Sequence, residues 1–124
     1  MRLAPTLLLA GFVGCNEPSI ELTGQWAGTA HLVVDGEPKD VALRWEVTQS
    51  EGALSGTIVW GDHRRDITIA SVEGPEVRIE SSTTNDSITF NGLFRKDTIE
   101  GRFAIKYSID PEPFPGRFSV TRLH

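Results

Sequence analysis

The chain has 124 residues, with twelve Lys/Arg against seventeen Asp/Glu, a formal charge of −5 and a single cysteine. That length suits one ordinary domain, and one cysteine cannot form a disulfide within the chain, so the hydrophobic core must hold the fold unaided. An acidic chain with no basic run gives no electrostatic footprint for nucleic acid or for anionic lipid headgroups.

The first fifteen residues read as an address. Arg2 is a basic start, Leu3 to Val13 an apolar run, and Gly14-Cys15 a small residue followed by the cysteine. This is the layout of a secretory signal, and the run is shorter than the about 20 residues that span a bilayer. Phe12-Val13-Gly14-Cys15 resembles the lipobox of bacterial lipoproteins, with Phe12 where that family usually carries Leu or Val. The resemblance implies that residues 1–14 are removed and that Cys15 carries the acyl chains that hold the protein to a membrane. It also implies a place in the cell envelope. Asn16 is not the Asp that retains such lipoproteins at the inner membrane in some Gram-negative bacteria, so the periplasmic face of the outer membrane is preferred. The alternative is an ordinary cleaved signal or an uncleaved anchor, with Cys15 a free thiol.

Residues 15–22 read as the lipidated cysteine and a short polar tether, and 23–124 as the domain. The seven residues Asn16 to Leu22 reach at most about 25 Å when extended. Beyond them the pattern has period two almost throughout. Predicted strands cover Gly24 to about Asp35, Asp40 to Ser50, Ala53 to Trp60, Asp66 to Val72, Glu76 to Ser81, Ser87 to Phe94, Thr98 to Ile109 and Gly116 to Leu123. In the fourth, the apolar phase slips between Ile67/Ile69 and Ala70/Val72, which suggests a bulge.

Eight strands with one wet and one apolar face predict an all-β, eight-stranded antiparallel up-and-down barrel, since closure hides the apolar face and removes the edges. A two-sheet β-sandwich is the alternative. Tight turns at Ser50-Glu51-Gly52, Glu73-Gly74-Pro75 and Arg95-Lys96-Asp97 mark a closed end. Longer connections at Asp35 to Lys39, Gly61 to Arg65, Ser82 to Asp86 and Asp110 to Pro115 mark an open rim.

Gly24-Gln25-Trp26 on the first strand and Arg122 on the last resemble the signature of lipocalin-like (calycin-type) barrels. That resemblance implies that Arg122 packs over the Trp26 indole as a structural pair at the closed end. The motifs Gln49 to Thr57, Phe90-Asn91-Gly92, Ile99-Glu100-Gly101 and Gly116 to Arg122 extend the likeness to small bacterial lipocalin-like proteins. Avidin-like proteins share the Leu22 to Trp26 and Gly52 to Thr57 patterns, but Gly28 replaces a polar ligand contact and an extra hairpin precedes Gly52, which argues against a biotin site.

Catalytic chemistry finds little support. His31, His63 and His124 share no metal-ligand spacing, and Arg64 and Arg65 oppose cation binding within Asp62 to Asp66. No nucleophile elbow is present, and the strand carboxylates Glu46, Glu80 and Glu100 face outward by phase. The expectation is a non-enzymatic protein without metal or cofactor. Gly28, Gly56, Gly92 and Gly101 fall on inward phases with Trp45, Trp60 and Tyr107, so the interior either holds a cavity for one apolar ligand or is filled by its large side chains. Trp45, Trp60, Tyr107 and Phe114 are the candidate ligand residues. Phe114, between Pro113 and Pro115, is also a candidate contact for an envelope protein. The expected function is binding of a small apolar ligand or an envelope partner at the rim; the alternative is a protein-interaction or inhibitor module with a filled barrel.

Overall fold

The computed structural model describes residues 20–124, so the signal residues 1–14, Cys15 and most of the tether lie outside the described residues. Strand patterning makes one all-β sheet of nine antiparallel strands: β1 Gly24–Val34, β2 Glu37–Ser50, β3 Ala53–Trp60, β4 His63–Asp66, β5 Ile69–Glu73, β6 Glu76–Ser82, β7 Asp86–Arg95, β8 Thr98–Tyr107 and β9 Asp110–Arg122. Their order across the sheet is β4-β3-β2-β1-β9-β8-β7-β6-β5. The outermost strands, β4 and β5, are separated in the chain only by Ile67-Thr68. The sheet therefore curls back on itself into a barrel-like shell.

The strand expected over Asp66 to Val72 thus runs from the last residue of β4 across Ile67-Thr68 into β5, and the phase slip within it accompanies a change of partner instead of a bulge. Up to Asp66 the chain pairs with β3, and from Ile69 it pairs with β6. At the crossing, Ile67 N donates to Gly56 O at 2.9 Å and Thr68 N donates to Glu80 O at 2.8 Å. Side chains fasten the same seam. Buried Ser81 donates from Oγ to Asp66 O (2.6 Å), while Arg65 donates from Nε to Ser81 Oγ (3.1 Å) and from Nη2 to Ser81 O (3.0 Å). Arg65 also meets Asp86 Oδ1 at 2.7 Å.

The rim differs from the long loops expected there. Asp35 (φ 51°) and Gly36 (φ 79°) form a two-residue turn, and β2 begins at Glu37. An Asp-Gly pair meets the need for two positive φ values in such a hairpin. Likewise β4 begins at His63, and Asp110 to Pro115 belongs to β9. The open end is a ring of overhanging hairpins.

Inside lies an aromatic core. Phe90 contacts Trp45 (ring centroids 5.4 Å apart), Phe118 (5.1 Å), Phe103 (6.0 Å) and Trp60 (6.5 Å). Edge-on and tilted contacts of this kind suit the charge distribution of aromatic rings. The inward glycines make room for these rings: a Cβ at Gly92 would come within 2.9 Å of both Phe118 and Ile99, and one at Gly116 would overlap the Phe103 ring. At the other end, Leu22 is buried in this core and Ile20 packs against it, so the segment read as tether already belongs to the domain there.

Candidate functional site at the rim

β1 and β9 pair from Trp26↔Arg122 as far as Leu32↔Gly116. The direction of the β9 amides explains why they stop. Leu123 N donates to Gln25 O on β1, whereas Arg122 N donates to Asp97 O on the opposite side. Amides alternate along a strand, so the residue after Gly116 toward the rim, Pro115, is one whose N–H would face β1. Proline has none. The ladder ends, and the β1 overhang separates from Pro113-Phe114-Pro115.

A groove of about 830 Å³ opens between them. Leu32, Val33, Pro38, Pro113, Phe114 and Pro115 supply its apolar lining, with His31, Asp40, Asp110, Glu112 and Arg117 at its margins. His31 Nδ1 and Asp40 Oδ1 lie 2.7 Å apart across β1 and β2, both largely exposed. Pro38 also blunts an edge. Gly61 N donates to Ala42 O from the β3 side. The amide missing at Pro38 would face that side too, above the end of β3, where no strand covers β2.

The four candidate ligand residues are separated. Trp45 is fully buried between Phe90 and Phe118, and its Nε1 has no hydrogen-bond partner among the described residues. Trp60 is partly buried, with its ring 5.3 Å from Phe103. Phe114 lines the rim groove. Tyr107 lies at the far side of the β8–β9 hairpin, 44% exposed, in a separate depression with Ser82, Thr83 and Lys106. The inward phase predicted for Tyr107 and Ile109 fails because the β8–β9 register shifts between Ile105 and Tyr107, and Ile109 lies in the turn between the two strands, 93% exposed.

At the closed end the structure brings Trp26 and Arg122 together. The guanidinium carbon lies 4.5 Å from the indole centroid. Arg122 donates from Nη2 to Glu21 O (2.6 Å), from Nη1 to Thr23 O (3.1 Å) and from Nε to Asp97 Oδ1 (3.1 Å). Trp26 Nε1 donates to Leu22 O at 3.0 Å. These bonds satisfy the polar groups of both residues and fix the chain entering β1.

The polar run Asp62 to Asp66 is divided between two walls. Arg64 bonds Glu46 (3.1 Å) and Thr57 (3.2 Å), and holds the Glu46 carboxyl below the usual carboxylate range. Arg65 does the same for Asp86, its hydrogen bond outweighing the opposing effect of burial, with Thr83 Oγ1 adding a bond of 3.0 Å. Among the described residues, no group of three or more His, Cys, Asp or Glu side chains could hold a metal ion.

Two signals for the groove are present in the sequence: the Asp35-Gly36 turn, which lengthens the β1–β2 hairpin, and Pro115, which removes a ladder donor. Neither is informative until the strand partners are known. No protein-family profile matches the chain, and no curated protein is similar to it.

Proposed function

We propose that this is a lipid-anchored cell-envelope protein, held to the membrane by acyl chains on Cys15, that works by non-covalent binding at its rim and catalyses no reaction. The lipobox resemblance at Phe12 to Cys15 supports the anchor. The binding surface rests on one observation: the interior is occupied by packed aromatic rings, while a large apolar groove opens at the rim, bordered by Val33, Phe114 and Pro115. An interaction module contacting an envelope protein suits that arrangement best.

The anchor reaches the domain at its base, where Leu22 is buried and Arg122 holds Glu21 and Thr23. The five residues Asn16 to Ile20 reach at most about 18 Å. The base would then lie close to the bilayer, with the groove turned away from it.

A small apolar ligand is the second reading, favoured by a groove volume inside the about 300–1,000 Å³ typical of ligand pockets. On that reading the ligand sits at Phe114 and not between Trp45 and Trp60.

Replacing Cys15 with Ser moves the folded protein from the membrane to the soluble fraction if the anchor is as proposed; retention in the membrane contradicts it. Native mass spectrometry of the soluble form then separates the two readings. A ligand-free mass directly from lysate supports the interaction module. A bound small molecule that is lost with Val33→Asp supports the ligand.

A further inference from the structure

The outer wall formed by β7, β8 and the part of β9 below its proline segment carries a charge opposite to that of the molecule as a whole. On its outward positions stand Arg95, Arg102, Lys106 and, below the proline segment, Arg117, against Glu100. One row of cross-strand neighbours runs Asn91↔Arg102↔Arg117↔His31↔Asp40 over β7, β8, β9, β1 and β2. His31 is engaged by Asp40. Arg102 and Arg117 face each other directly, and among the described residues neither forms an ion pair or a side-chain hydrogen bond.

Amide direction brings this pair closer still. The Arg117 N–H points toward β1, as does that of Leu123. Arg102 and Arg117 are therefore a non-hydrogen-bonded pair across β8 and β9, with Cα atoms about 4.5 Å apart. Like charges so placed destabilise a sheet. They border a depression of about 470 Å³ shared with Arg95, Glu100, His31 and Ser119. Glu100 stands opposite Ser119, one step toward the base, and leaves the two guanidinium groups unpaired.

We propose that Arg102 and Arg117 form a phosphate-binding site on the outer wall, with Arg95 beside it. Each guanidinium presents a planar fork of donors that fits two oxygens, and two forks meeting at one point suit a tetrahedral anion. A phosphate monoester carries about −1.5 to −2 at neutral pH, enough to neutralise both. A single carboxylate neutralises one and satisfies one fork. The phosphate comes either from a soluble phosphate compound or from a lipid headgroup, and the chemistry at the arginines is the same.

The test is thermal unfolding of the full chain in neutral detergent, with inorganic phosphate against chloride at matched ionic strength. Phosphate at tenfold its dissociation constant raises the midpoint by about 5 °C. Arg102→Ala and Arg117→Ala each abolish that rise and, by removing the repulsion, leave the phosphate-free midpoint equal to or above that of the parent; Arg44→Ala, on another wall, keeps the rise. The proposal is overturned if phosphate does no more than chloride, if the rise survives in both variants, or if poly-glutamate stabilises more strongly than phosphate. Co-sedimentation of the Cys15→Ser chain with phosphatidylglycerol vesicles distinguishes the sources. Arginine-dependent pelleting that free phosphate displaces identifies a headgroup, and phosphate binding without pelleting identifies a soluble compound.

Discussion

Arg122 comes from the last strand yet holds the chain ahead of the first. Its side chain covers the Trp26 indole, bonds the Glu21 and Thr23 carbonyls and reaches Asp97 in the β7–β8 turn. Removing it uncovers the ring and leaves those carbonyls without their charged donor. Arg122→Ala therefore lowers stability by about 3 kcal/mol, read as a fall in the urea midpoint. Arg122→Lys recovers only part of that loss, because an ammonium cannot present the same fork. Asp86 gives a pH signature. Arg65 lowers its folded carboxyl below the unfolded value, so the pair contributes fully above the ordinary Asp pKa, and the contribution disappears as pH falls through the lowered folded pKa. Melting temperature followed downward from pH 5 falls more steeply in the parent than in Asp86→Asn, which is less stable at neutral pH and lacks that part of the acid dependence. Equal slopes would mean that the seam pair adds nothing.

Among the elements, the pairing of β1 with β9 determines whether a groove exists, and Pro115 determines where that pairing stops. Pro115→Val restores an N–H facing β1 and lets the ladder extend toward Val33. The expected result is slower hydrogen exchange at the Val33 amide and a gain of about 0.5–1.5 kcal/mol; unchanged exchange at Val33 would show that something besides the missing amide holds the strands apart. The same element shows what the sequence could reveal. Period-two alternation located seven of the strands, because one buried face imposes that alternation whatever the partner. It could not divide β4 from β5, since Ile67 and Ala70 both turn inward only because the chain changes neighbours between them. It also overextended the inward phase to Tyr107 and Ile109, where the alternation continues through a register shift and into the β8–β9 turn. Of the candidate ligand residues, Phe114 lines the rim groove, while Tyr107 is exposed in a separate depression. Trp45 and Trp60 were identified as inward by phase, but phase does not distinguish a ring lining a cavity from one packed against Phe90 and Phe103.

For the whole molecule, packed aromatic rings fill the interior of the curled sheet, and the proposed binding surface lies outside it. The base carries the chain that leads back to Cys15, fixed by Arg122, and the far end carries the groove. On the proposed reading the two ends do different work: attachment below, recognition above. Val33 and Ile69 provide a matched comparison, being exposed apolar strand residues of 58% and 57% exposure, with Val33 at the groove and Ile69 on the distant strand β5. A photo-crosslinking side chain placed at either position in intact cells tests whether the rim is the working surface. One defined adduct is expected from position 33 and none from position 69. Equal labelling from both positions, or adducts from position 69 alone, would contradict the rim as the working surface.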